Sequence, residues 1–240
     1  MAYESIFKRY ETKYLLTASQ KAAVMAALGD YMTPDAYGKT TVRNIYYDTD
    51  SYRLIRRSLE KPVYKEKLRL RSYARTDPDS AVFVELKKKF DSVVYKRRLD
   101  LPEKAAVSWL SGSIPCPKSG QISREVEYFL RYYAGLAPRV FLSYDREAFY
   151  SKDDRGFRVT FDENILCRRE ELSLEAAVYG TPILPPDMTL MEIKSMGGIP
   201  LWLTKVLTAE KIYKTSFSKY GTAYETLIYP TLTKEVKTNA

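Results

Sequence analysis

The sequence predicts an α+β fold in which a large antiparallel sheet closes into a β-barrel, with a polar, basic interior and helices packed on the outside. Three observations predict it. Roughly eight stretches alternate apolar and polar residues with the two-residue period of a strand. Turn residues such as Asp77-Pro78-Asp79 and Asp153-Asp154-Arg155-Gly156 join neighbouring stretches closely enough for hairpins. The polar sides of the strands carry mostly Arg and Lys, whereas a sheet face turned to water usually mixes hydroxyls, amides and both signs of charge.

The elements follow in order. Residues 5–15 alternate well enough for a first strand. Thr17 and Gln20 make a capping-box pattern, so a helix opens there and runs to about Tyr31. Thr33-Pro34-Asp35-Ala36-Tyr37-Gly38 is a loop before a β-rich run from Val42 to Asp48, and Ser51–Ser58 fits a short helix or a turn. Lys65–Ala74, Ala81–Phe90 and Ser92–Leu101 read as a three-stranded meander. Pro102–Leu110 and Ser123–Tyr133 read as helices across a Gly/Pro/Ser loop. Strands resume at Arg139–Tyr150, Gly156–Ile165 and Thr189–Met196, and Pro200–Leu207 and Ser218–Leu227 read as closing helices. One domain is expected over residues 1–230, with 231–240 as a frayed tail.

Composition narrows the chemistry. The 240 residues suffice for a sizeable core, and 45% hydrophobic with 29% charged residues is ordinary for a soluble chain. No apolar run approaches a membrane span, the first residues lack a secretory apolar stretch, and the two cysteines stand apart, so a cytoplasmic protein is expected. A net charge of +9 calls for an anionic partner: nucleic acid, an acidic membrane or a phosphate ligand. The absence of histidine removes imidazole-ligated metals, Ser-His and Cys-His catalysis and any phosphohistidine. Chemistry must then rest on carboxylates, Lys, Arg, Tyr, hydroxyls and a hard cation with oxygen ligands.

Residues two apart on a strand share a face. Arg9, Glu11 and Lys13 oppose Ile6, Tyr10 and Tyr14. Lys65, Lys67, Arg69 and Arg71 oppose Leu68 and Leu70, while Glu85, Lys87 and Lys89 oppose Val82, Val84 and Leu86. Arg158, Thr160 and Asp162 oppose Phe157, Val159 and Phe161, and Glu192 and Lys194 oppose Met191 and Ile193. In 139–150 the pattern blurs, with Tyr144 and Arg146 on the side of Val140 and Leu142. A half-exposed sheet with its cations in water is the plain alternative. Like charges opposite one another destabilise a sheet unless an anion neutralises them, which favours cations turned toward a bound polyanion. Arg offers a planar fork to phosphate oxygens and Lys a point charge.

The run Arg9-Tyr10-Glu11-Thr12-Lys13-Tyr14, then Arg69-Leu70-Arg71, Glu85-Leu86-Lys87, Tyr144-Asp145-Arg146, Arg158, Glu192-Ile193-Lys194 and Ser218-Lys219, resembles the VTC domain in order, spacing and strand placement. That domain is the polyphosphate polymerase of the vacuolar transporter chaperone complex, within the triphosphate tunnel metalloenzyme (CYTH-like) superfamily. The resemblance spans about Phe7 to Leu227. It implies a closed tunnel in which Lys13, Arg69, Arg71, Lys87, Arg146 and Arg158 hold the reacting phosphates, with Lys96, Tyr144, Ser218 and Lys219 as further phosphate ligands. It implies that Glu192 helps hold Mn2+ or Mg2+, and that the γ-phosphoryl of ATP is transferred onto a growing polyphosphate chain. The superfamily often opens with Glu-x-Glu-x-Lys, but Arg9 replaces the first Glu here, which disfavours the two-metal hydrolases and suits the VTC branch.

Other signals are set aside. Gly38-Lys39-Thr40 lacks the earlier glycine and the preceding strand of a Walker A loop, and Gly197-Gly198 reads as a turn. Glu125 and Glu127 are expected to be solvated on a helix, and Trp109 and Trp202 to pack. The 21 tyrosines mostly fall on apolar faces, so no nucleic acid is expected. Three functions compete: a polymerase, a tripolyphosphatase or nucleoside triphosphatase on the same scaffold, and a non-enzymatic polyphosphate-binding module. The partners expected are ATP, triphosphate or polyphosphate; the oligomeric state is left open.

Overall fold

The structure is a computed structural model that describes residues 10–91, 93–154 and 156–238, with side chains as far as Thr233. In chain order the elements begin with β1 (Tyr10–Thr17), α1 (Ala18–Tyr31), β2 (Met32–Pro34), β3 (Thr40–Asp48) and α2 (Arg53–Leu59). Next come β4 (Tyr64–Ser72), β5 (Ala81–Phe90), β6 (Val93–Pro102), α3 (Glu103–Leu110), α4 (Gln121–Tyr132) and β7 (Ala137–Ser151). Then follow β8 (Arg158–Arg168), β9 (Thr181–Pro182), β10 (Met188–Ser195), α5 (Leu201–Ala209) and β11 (Lys214–Thr215). The chain closes with α6 (Lys219–Ala223), a π-helical turn (Tyr224–Ile228) and α7 (Tyr229–Thr238), so part of the expected tail is helical. Expectations for residues 5–9, Ser92 and Arg155 lie outside the described residues.

The chain divides into two compact units. The first takes the chain up to Thr41, Tyr144–Ile165 and Leu184–Ser218; the second takes Val42–Ser143, Leu166–Ile183 and the chain from Lys219.

In the first unit the strands run β11-β1-β10-β8-β7, with β2 paired to β7. The capping box expected from Thr17 and Gln20 is present and fixes where β1 ends and α1 begins. Val24 and Leu28 of α1, with Leu203 and Leu207 of α5, pack on Tyr14, Leu16, Val159, Phe161, Met191 and Ile193. Each such side chain contributes about 1.5–3 kcal/mol when fully buried, so the helices belong on the apolar face. Trp202 stacks on Tyr31 with ring centres 4.6 Å apart, the packing role expected of it.

In the second unit the order is β3-β4-β5-β6. Ile45, Tyr47, Leu68, Leu70, Val82, Val84 and Leu86 form its apolar side, covered by Trp109 and Leu110 of α3 and by Val126 and Phe129 of α4. Trp109 is core, as expected. Glu125, expected in solvent, instead lies 3.2 Å from Arg97 Nε and 3.6 Å from Lys88 Nζ.

The closed barrel is a correction. Closure requires every strand to have two neighbours. Among the described residues β6 ladders with β5 alone, and β11 is a two-residue strand laddered to β1 alone. The antiparallel sheet is therefore open. The α+β class with a large antiparallel sheet holds.

Candidate functional site

In each unit a cluster of charged residues lies on the face of the sheet opposite the apolar core side chains. In the first unit the register places Lys13 of β1 opposite Glu192 of β10, and Glu192 opposite Thr160 of β8. Glu192 is 6% exposed and meets three cations: Lys13 Nζ at 3.4 Å, Arg146 Nη2 at 3.4 Å and Lys194 Nζ at 3.8 Å. Lys13 also lies 3.5 Å from Glu11 Oε1 and donates to the Phe217 carbonyl at 2.9 Å. Arg146 Nε and Nη2 donate to the two oxygens of Asp162, each at 2.6 Å, a fork-to-fork pair. Burial alone would weaken the Arg146 charge; Tyr144, Asp162 and Glu192 hold it more firmly than in a free arginine. Tyr144 is buried beneath that guanidinium, 5.0 Å from ring centre. Arg158 lies over Tyr150 at 4.7 Å, with Asp35 at 3.8 Å.

In the second unit the register stacks cations in rows across three strands. Lys67, Lys87 and Lys96 are cross-strand neighbours on β4, β5 and β6, and the adjacent row is Arg69, Glu85 and Arg98. Glu85, 1% exposed, takes Arg69 Nη2 and Nε at 2.6 and 2.8 Å, Lys96 Nζ at 2.6 Å, Arg98 Nε at 3.4 Å and Arg71 Nη1 at 3.8 Å. Burial would raise its carboxyl, but Arg69, Arg71 and Lys96 hold it far below the usual carboxylate range. Lys96 is itself lowered, by burial first. Arg71 Nε donates to Asn44 Oδ1 at 2.8 Å, and Arg69 Nη1 donates to the Tyr46 hydroxyl at 3.1 Å. Lys67 lies 6.0 Å over the Tyr220 ring, and the neighbouring Lys219 is 9% exposed.

The sequence comparison decides the family. Residues 8–228 match the VTC domain. The chain belongs to the VTC domain family. No curated relative matches the sequence. Its VTC domain is similar in fold to a "putative adenylate cyclase" from Bacillus halodurans, at 15% identity and TM-score 0.54, covering 89% of this chain and 94% of that one. A "putative adenylate cyclase" from Vibrio parahaemolyticus gives 12% identity and TM-score 0.51, covering 91% and 98%. Both are likenesses of fold.

Of the residues the resemblance implied, the VTC domain brings Lys13, Tyr144, Arg146, Arg158 and Glu192 to one face of the first unit. It brings Arg69, Arg71, Lys87 and Lys96 to one face of the second. Ser218 and Lys219 directly follow Phe217, whose carbonyl takes the Lys13 ammonium. Sequence reasoning did not single out Glu85, Asp162, Glu11 or Tyr46. Alternation puts Glu85 with Lys87 and Asp162 with Arg158, but only cross-strand register shows that each carboxylate organises arginines.

Among the described residues no three Asp, Glu or Cys side chains converge on one point, so a metal cage made by protein alone is absent there. Glu11 and Glu192, however, both approach Lys13 Nζ from one sheet face. One or two carboxylates are what magnesium takes from protein when substrate phosphates supply other ligands, and carboxylates suit manganese equally. The donor set fits a divalent metal that arrives with a phosphate chain.

Proposed function

We propose that this VTC domain is a metal-dependent polyphosphate polymerase that transfers the γ-phosphoryl of ATP onto a polyphosphate end. The observation that carries this reading is the cation excess around Glu85. Arg69, Arg71, Lys96 and Arg98 all converge within 4 Å of the single buried carboxylate of Glu85, and Lys67, Lys87 and Lys96 stand side by side in the next row. A flexible chain of phosphates supplies negative charge to such a cluster.

In the transfer, the bond from the γ-phosphorus to the β-bridging oxygen breaks, and a terminal polyphosphate oxygen bonds to the same phosphorus, releasing ADP. Little covalent chemistry falls to the protein; positioning and charge neutralisation dominate. Arg69 and Arg71 grip non-bridging oxygens as forks, and Lys87 and Lys96 add point charge. Arg146 is held rigid by Asp162, so it can meet developing charge without reorganising. Glu192 and Glu11 would hold Mg2+ or Mn2+, which neutralises charge spreading over the transferred group. Water as acceptor would have to lose a proton. The sequence has no histidine, and the buried carboxylates Glu85, Asp162 and Glu192 are each paired with cations, which favours a phosphate oxygen that is already anionic.

Incubation with ATP and Mn2+ followed by assays for long-chain polyphosphate and free phosphate tests the reading. Polymer is the expected product. Free phosphate without polymer would make the protein a triphosphate hydrolase, and neither product would leave a polyanion-binding module.

A further inference from the structure

Three tyrosines of the second unit give their hydroxyl protons to carboxylates. Tyr64 and Tyr133 donate to the two oxygens of Glu66 at 2.6 and 3.0 Å, and Tyr220 donates to Asp48 Oδ2 at 3.0 Å. Each of these protons has a carboxylate acceptor. Tyr46 is different. Its ring stacks on Tyr220 at 4.7 Å, yet its hydroxyl oxygen accepts from Arg69 Nη1, and among the described residues its own proton has no acceptor. The residue is 7% exposed, so a missing acceptor is costly there. Burial would raise the phenol's pKa, but Arg69, Arg71 and Lys219 act on it as cations and lower it, whereas burial and neighbouring carboxylates raise those of Tyr133 and Tyr220.

We propose that the Tyr46 hydroxyl is a phosphate ligand, donating its proton to a non-bridging oxygen of the bound phosphate chain while Arg69 holds its lone pair. The inference rests on the phosphate-chain reading above and deepens it by adding a neutral donor to the cations. A donor whose oxygen is bonded by a guanidinium is polarised, and a hydrogen bond to an anionic oxygen is of the stronger class. The same arrangement explains why β3 places a tyrosine here: a phenylalanine would fill the space and keep the stack on Tyr220, but would leave Arg69 Nη1 without this acceptor and give the ligand no proton.

The test is calorimetric titration of inorganic tripolyphosphate into the wild type and Tyr46→Phe, with melting temperatures of both proteins without ligand. The expected result is an affinity roughly tenfold weaker in Tyr46→Phe, the scale of a hydrogen bond to a charged group, with an unchanged or higher ligand-free melting temperature. Equal affinities in the two proteins would overturn the inference and leave the phosphate-chain reading standing. A ligand-free melting temperature that drops along with affinity would overturn it by giving the hydroxyl a structural role. No binding by the wild type would instead remove the phosphate-chain reading, and this inference with it.

Discussion

The charged faces of the two units are built on opposite balances. In the first, Lys13, Arg146, Arg158 and Lys194 are met by Glu11, Asp162, Glu192 and Asp35, so nearly every cation has a carboxylate within 4 Å. In the second, four cations, Arg69, Arg71, Lys96 and Arg98, converge on the one carboxylate of Glu85, and the next row is three lysines across three strands. A balanced face is stable without a guest and holds its groups in fixed geometry. An unbalanced face stores repulsion that an anion relieves. On the proposed function, the first would serve orientation and a metal and the second the binding of a polyanion.

Two substitutions should break this contrast most strongly, and in opposite senses. Removing one partner of a buried ion pair costs about 3–5 kcal/mol, which for a domain of this size is roughly ten degrees of melting temperature. Glu85→Gln leaves surplus cations, so tripolyphosphate should recover much of the loss. Arg146→Ala leaves Asp162 buried and negative, so tripolyphosphate should recover none of it. Equal ligand rescue in the two variants, by thermal melting, would erase the distinction. pH sharpens the first case. The folded Glu85 carboxyl is depressed, so its stabilisation is complete above the ordinary carboxylate range and lost only as pH falls through the much lower folded value. The stability gap between wild type and Glu85→Gln should therefore persist at pH 4 and close only in stronger acid.

Turnover should depend on the first face. Glu192→Gln is expected to reduce metal-dependent turnover by about 100-fold or more, the scale of losing a charge-stabilising group, while calorimetry still detects tripolyphosphate binding on the second face. Full activity of the variant across a Mn2+ titration would remove the metal role from Glu192. Arg69→Ala should do the reverse, weakening tripolyphosphate by about 1–3 kcal/mol, the value of a charge-assisted hydrogen bond or two. Unchanged affinity would place Arg69 as a structural partner of Glu85 only.

Much of this was legible in the sequence because it is local. Thr17 and Gln20 announce α1, alternation announces β4 through β6, and the sharing of faces by Arg69, Arg71 and Lys87 follows from a period of two. What the sequence hides is long-range. Lys13 meets Glu192 only because β1 pairs with β10, and no local periodicity encodes that partner. The β7 pattern blurs because Val140 through Tyr144 are all buried, leaving no exposed face to mark alternation. Closure into a barrel was inferred from the charge on the faces, but closure is decided at edge strands, where β11 has only two residues to offer. Glu85 was invisible as an organiser for a related reason: its cations come from β4 and β6, and only register brings Arg69 and Arg98 to either side of it.

The smallest expected effect tests the comparison most directly, because it predicts a gain. Lys87 sits between Lys67 and Lys96 in register, a lysine directly opposite it on each neighbouring strand. Like charges directly opposite on paired strands cost a few tenths to about 1 kcal/mol, and Lys87 faces one on each side. Lys87→Ala should thus leave the ligand-free protein as stable as the wild type or slightly more stable, despite a lost half-buried side chain, while tripolyphosphate affinity falls. Lys194→Ala on the first face offers the counterpart. Its ammonium lies 3.8 Å from Glu192, so the same truncation removes an attraction and should lower ligand-free stability slightly. Raising ionic strength should shrink both changes, since salt screens partly exposed charges. If both variants lost stability equally in low salt, the lysine row would be relieved by partners within the folded chain, and the second face would hold no stored repulsion for a phosphate chain to release.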